Sequence, residues 1–252
     1  MYASWSDHKT REVSNHVWIL LAPSAFAITF TGLFLYEPSQ LVPYGISFGL
    51  TAVFAIVLFY SGGFGGADAK ALMCLALALP FYPKNIFLPK LWEVSPISRM
   101  LFPLTVFSNA VILVVALVVW IVSRNIYWRW KTSRRLFEGN QSKESVGKKI
   151  LVLITGYKVP INKLEEKWHV YPLEDIEENV QNNPKRKLIV LPKDQGRNAI
   201  VDRLANAVKS GAIEDGVWAS PGLPMLILIT VGLIVALFSG DIIWTLVSLM
   251  FR

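Results

Sequence analysis

An all-α polytopic membrane bundle with a small water-facing α+β domain inserted before its last span is the fold class that three observations predict. The 252-residue chain is 53% hydrophobic with a mean hydropathy of +0.44, more apolar than soluble domains are. Its apolar residues gather into runs of about 20, the helical length that crosses a bilayer. Its charges gather elsewhere: 18 of the 25 Lys and Arg and 12 of the 18 Asp and Glu fall within residues 124–220.

Taken in order, the apolar runs place spans at residues 16–36, 44–61, 67–88 and 101–123, and a fifth from about 221 through "LPMLILITVGLIVALFSGDIIWTLVSLMF". Pro80 and Pro83 make the third short or broken near its far end, because proline cannot continue a helical ladder. The domains expected are a bundle over residues 1–123, a water-facing domain over 124–220 and a final span over 221–252. Within the middle domain, "KKILVLITG" and "KRKLIVLP" read as short buried strands. "GRNAIVDRLANAVKSG" reads as a helix, with Ile200, Leu204 and Val208 on one face and glycine at its end, and "EDIEENVQNNPKRK" as a polar connection.

The net charge of +7 and a pI of about 9.5 suit nucleic-acid binding in a soluble chain, but no nucleic-acid motif accompanies them. Beside membrane spans, basic residues mark cytoplasmic loops. Arg124, Arg129, Lys131, Arg134 and Arg135 directly follow the fourth span, so the middle domain is expected in the cytoplasm. The single cysteine, Cys74, lies in an apolar stretch and excludes both an intrachain disulfide and a cysteine-rich zinc site. The three histidines, His8, His16 and His169, are scattered, so no metal and no cofactor is expected. "MYASWSDHKTREV" lacks the apolar core and cleavage site of a signal peptide.

Two acids sit at span boundaries. Asp7 precedes the first span and Asp68 follows the second, so two crossings separate them and both belong to one membrane edge, the cytoplasmic one. Ionisable groups at that depth are costly and tend to face a wet cavity, which makes them functional candidates. Asp241 falls in the outer part of the last span, far from the pair. Two facing carboxylates can hydrolyse a peptide without a metal, since like charges at short range force one to keep a proton: the base activates water and the acid polarises the carbonyl. Around Asp68, "GGFGGADAKAL" sets Gly62, Gly63, Gly65 and Gly66, which let an extended peptide approach, or which merely pack against neighbouring helices. Lys70 can lower the pKa of Asp68, position a peptide, or simply snorkel to the interface. Taken alone, Asp7 in "SWSDHKTREVSN" reads as a charged collar or a helix cap; its pairing with Asp68 favours function.

These motifs resemble those of the archaeal prepilin and preflagellin peptidases, GxGD-class membrane aspartyl proteases. Asp7 with Lys9, Arg11, Glu12 and Val13 fits the family's first motif, and Gly65, Gly66, Ala67, Asp68 and Lys70 fit the second. "YKVPINKLEE" with "VYPLED", and "VWASPGLPMLILITVGLIVAL", extend the likeness over essentially the whole chain. Ala67 stands where the bacterial pattern has glycine, and one cysteine rules out the four-cysteine zinc domain of bacterial relatives. The family carries a span before its first Asp, whereas six residues precede Asp7, so "YASWS" is read as the tail of a missing first helix. The resemblance implies Asp7 and Asp68 as catalytic acids, with Gly65, Gly66 and Lys70 shaping the site. It implies removal of the basic leader from archaellin and type IV pilin-like precursors bearing class III signal peptides, at the cytoplasmic face of the bilayer. Two other classes stay open: an ion- or proton-coupled transporter using the paired acids, and a non-catalytic membrane-tethered binding protein. Transport predicts polar breaks through several spans, which are nearly absent; the middle domain carries no phosphate loop, metal cluster or triad.

Overall fold

The computed structural model describes residues 2–10, 12–84, 94–177, 185–190, 196–222 and 224–251. The chain divides into two compact units, Met1–Val114 with Pro224–Arg252, and Val115–Leu223.

The first unit is helical. A short α1 (Tyr2–Thr10) precedes α2 (Asn15–Tyr36), whose start is capped by the Ser14 hydroxyl accepting from the His16 N–H. Past Glu37, Pro38 begins a single 3-10 turn that reverses the chain into α3 (Leu41–Tyr60). Gly62, in the left-handed region at φ 78°, closes the end of α3, a conformation glycine adopts without a side-chain clash.

The third expected span differs. Its helix, α4 (Gly66–Ala78), has 13 residues, about 20 Å and short of the roughly 30 Å apolar core of a bilayer. Pro80 and Pro83 leave residues 79–84 outside any helix, and residues 85–88 of the expected span lie outside the described residues. A helix ending within an apolar setting strands its last carbonyls. Here Tyr44 OH donates to Leu77 O (3.2 Å), Thr29 Oγ1 to Ala78 O (3.2 Å) and Ser47 Oγ to Pro80 O (3.1 Å).

After α5 (Pro96–Met100), α6 (Phe102–Thr132) runs for 31 residues, nine beyond the expected end of the fourth span. The fifth span is a bent pair, α10 (Met225–Phe238) and α11 (Ile242–Met250), which meet at 62° rather than forming one continuous helix. Gly240 at φ 99° turns the chain, and the buried Asp241 caps α11 by accepting from the Trp244 N–H (3.0 Å). Ser95 Oγ (2.6 Å) and Thr105 Oγ1 (3.4 Å) also donate to Asp241. Asn109 donates to Gly240 O (3.0 Å) and accepts from Ile242 N (3.2 Å), so the groups freed by the break are paired.

Among the described residues, three helices, α2, α3 with its preceding turn, and α6, are long and apolar enough to cross a membrane, and the bent pair makes a fourth candidate. Ile19, Leu20, Ile28, Val53 and Val57 point outward, as lipid-facing side chains do. Helices α10 and α6 approach closely at Gly232, where a Cβ would lie 2.6 Å from Val106 O and 2.9 Å from Ala110 N. Gly232→Ala is therefore expected to destabilise the bundle by about 1–3 kcal/mol, read as an earlier midpoint in denaturing-detergent titration.

The second unit holds a three-stranded antiparallel sheet, order β1 (Tyr157–Val159), β5 (Val217–Ser220), β2 (Tyr171–Pro172), and a two-stranded one, β3 (Glu174–Glu177) with β4 (Lys185–Leu188). Helices α7 (Val146–Thr155), α8 (Ile161–Glu166) and α9 (Arg197–Lys209) complete it. "KKILVLITG" is thus mostly helix, not strand. An unbroken apolar run does not distinguish the two by period, and the Ser145 hydroxyl, accepting from Lys148 N, starts a helix that Gly156 ends. A Cβ at Gly156 would meet Leu173 Cδ1 at 2.3 Å and Ala219 O at 2.7 Å, so the chain must be bare there. The expected polar connection is likewise corrected at both ends: Glu174–Glu177 and Lys185–Lys187 are strand residues of one ladder, with Glu174 buried against Arg186 across it. Residues 178–184 of that stretch lie outside the described residues. Helix α9 buries Val201, Leu204 and Ala205, with Ile200 and Val208 partly buried beside them.

Candidate active site

Four helix starts meet in one apolar cluster at one end of the first unit. Its members are Trp18, Cys74 and Leu226, with Ala3, Val13, Val17, Ala22, Ala67 and Ala71 packed against them. Ser4 Oγ pins α1 to α10, donating to Leu226 O (3.2 Å) and sharing a hydrogen bond with Thr230 Oγ1 (2.6 Å).

Asp7 follows Ala3 by one turn of α1, and Asp68 lies between Ala67 and Ala71 on α4. The elements bearing both acids therefore converge on the same cluster, and both residues are part-exposed. Asp7 sits inside α1 and not at its N-cap, while the capping role falls to Asp68. Asp241 lies past the other end of α10, whose 14 residues rise about 20 Å.

Asp68 Oδ2 accepts from the Gly65 N–H (3.0 Å), the reach of an N3 acid back to its N-cap. A Cβ at Gly65 would stand 3.1 Å from that oxygen, a tight contact that the carboxylate must relieve by a few tenths of an ångström. At Gly66 the same test meets only the Phe59 ring at 3.7 Å, which is ordinary contact. Close approach thus distinguishes Gly65 from Gly66. Gly65→Ala is expected to strain the cap hydrogen bond at the start of α4 and to cost up to about 1 kcal/mol of stability, whereas Gly66→Ala stays near the parent, as denaturing-detergent titration would show.

Lys70 is exposed, and its Nζ donates to Asn15 Oδ1 (2.7 Å), which joins the first turn of α2 to α4 two residues beyond Asp68. Sequence reasoning passed over Asn15. Its only signal is position, a polar residue between the first acidic motif and the first apolar run. Below this pair an apolar groove of about 630 Å³ runs between α2 and α4, lined by Trp18, Ile19, Ala22, Met73, Cys74 and Leu77. Among the described residues, no three His, Cys, Asp or Glu side chains gather closely enough to hold a metal ion.

Comparison with known proteins covers most of the chain. The profile of the type IV leader peptidase family matches residues 1–122, and that of the archaeal peptidase A24 C-terminus, type II, matches residues 148–242. A preflagellin peptidase of Methanococcus maripaludis is 24% identical over 246 residues, 95% of this chain and 90% of the relative. That of Methanococcus voltae is 25% identical over 254 residues, 98% and 94% of the two chains. Two profiles of one peptidase family, one over residues 1–122 and the other over residues 148–242, carry the conclusion that this chain is a member of the type IV leader peptidase family.

Proposed function

We propose that this membrane peptidase removes the basic leader of archaellin and type IV pilin-like precursors by an aspartyl mechanism, with Asp7 and Asp68 as the two acids. What supports the reading is the apolar cluster of Trp18, Cys74 and Leu226, against which Ala3, one turn before Asp7 on α1, and Ala67 and Ala71, on either side of Asp68 on α4, all pack. In the reaction, one carboxylate takes a proton from water as the water oxygen bonds to the scissile carbonyl carbon. The protonated partner donates to the carbonyl oxygen. Collapse of the tetrahedral adduct breaks the C–N bond, and the departing amine takes up a proton from the pair. The titration belongs to the pair and not to either member.

In this reading α2 and α3 return the chain to its starting side, and α4 together with the residues after it completes the crossing that α6 reverses, so both acids share the cytoplasmic side with the basic residues from Arg124 to Arg135. A precursor whose apolar helix is still in lipid presents its leader junction at that edge. Transport finds no comparable support: the buried Asp241 already accepts from Ser95, Thr105 and the Trp244 backbone, the bonding of a helix cap. The decisive test presents a tagged archaellin or pilin precursor to membranes bearing this chain and reads the mature N-terminus by mass. One cut after the basic leader is expected, and an intact precursor would overturn the proposal.

A further inference from the structure

We propose that α7 is an interfacial helix whose outer aliphatic face lies in the headgroup–acyl boundary of the same membrane that α6 crosses. The inference is independent of the proteolytic reading and needs only that α6 spans the bilayer.

Helix α7 is inside out for a water-facing domain. Its arc of Val146, Gly147, Ile150 and Leu151 faces outward, with Val146 69%, Ile150 52% and Leu151 42% exposed. Its opposite side carries Val152, buried against Leu173, Leu188 and Trp218. The lysines flank that inner side and bond within their own unit, Lys148 to Glu144 (2.9 Å) and Lys149 to Ser142 O (2.6 Å). A helix that turns aliphatic side chains out and keeps lysines near its core is covered by something apolar.

The position of α7 identifies the cover. No charge interrupts α6 from Phe102 to Ser123, 22 residues or about 33 Å, so Arg124 stands where the apolar core ends. Asn125, the next residue, donates its amide to Leu153 O (3.0 Å) and Gly156 O (2.8 Å) at the end of α7. The last turn of α7 is thereby held at the level of the membrane edge. Arg124 stacks on Tyr157 (3.7 Å) and on Trp120 (5.5 Å), and Tyr127 and Trp130 are exposed on the same helix, the aromatic girdle of a lipid–water boundary. At that level an aliphatic arc meets lipid without any further partner.

The test uses the full chain in phosphatidylcholine–phosphatidylglycerol vesicles. In a Cys74→Ser background, Ile150→Cys, Leu151→Cys and, as a water-facing reference on α9, Lys209→Cys are each labelled with an environment-sensitive dye, and near-UV spectra confirm that each variant keeps the parent fold. Spin-labelled lipid is expected to quench the dye at 150 and 151 at least about threefold more than at 209, with iodide showing the reverse order. Equal iodide access at the three positions overturns the proposal. Shielding from iodide without quenching by lipid, lost when vesicles are diluted in protein, overturns it in favour of a second copy of the chain.

Discussion

Asp68→Asn is expected to lower precursor cleavage by about a thousandfold or more while leaving the bundle folded. Asparagine keeps an oxygen that can accept from the Gly65 N–H, so the start of α4 stays capped, but it can neither take a proton from water nor give one back. Asp68→Ala loses the cap as well and is expected to cost about a further 1 kcal/mol of stability. The two substitutions together separate the structural use of this carboxylate from its chemical one. Asp7→Asn should match the activity loss of Asp68→Asn, and the double variant should be little worse than either, because acids that work as a unit fail as a unit. Cleavage by single-turnover assay, with stability by detergent titration alongside, reads all four. Retention of full cleavage in Asp68→Asn would reduce this acid to a helix cap.

Glu174→Ala is expected to destabilise the second unit by about 3–5 kcal/mol. Glu174 is fully buried and takes Arg186 through both carboxylate oxygens, at 2.7 and 2.9 Å. It also accepts from Trp218 N (3.1 Å) and from the Gln141 amide. Removing it leaves a guanidinium with 9% side-chain exposure and no carboxylate of equal proximity, since Glu138 stands 3.8 Å away. Lys158 shares that neighbourhood, 3.5 Å from Glu138 and 4.6 Å from the Trp128 ring centre. Burial pushes its ammonium below the ordinary lysine value, with Glu138 opposing. A joint Glu174→Leu, Arg186→Met replacement should cost far less than Glu174→Ala, because an apolar pair leaves no buried charge uncompensated. Denaturation followed through the near-UV signal of Trp218 measures both; a cost below about 1 kcal/mol for Glu174→Ala would remove the network from the account of this fold.

Much of the site was legible because its residues are punctuation. Asp7, Asp68 and the glycines interrupt long apolar runs, and a charge at a span boundary stands out against its surroundings. The pairing of the acids followed from counting crossings, which needs only that each apolar run is one passage. The two runs between the acids are the membrane-length α2 and α3; the departures come later, where α4 is too short to cross unaided and the final run is bent. Both departures rest on remote side chains. Tyr44, Thr29 and Ser47 receive the carbonyls that α4 leaves behind, and Asn109 with Ser95 mends the break at Asp241. No local pattern announces partners so far along the chain.

By itself, the sequence determined the membrane class, the charged stretch over residues 124–220, the helix over residues 197–209 and the identity of the two acids as candidates, since these depend on composition and on neighbours within a turn or two. Tertiary structure alone decided that α7 is helical with its aliphatic side outward, that Glu174 is a strand residue locked to Arg186, and that Lys70 bonds Asn15. It also assigned Gly65 and not Gly66 to the carboxylate. The reason is physical: a short apolar run satisfies helix and strand alike until a cap, a close backbone or a buried counter-charge from elsewhere in the chain makes one of them lower in free energy.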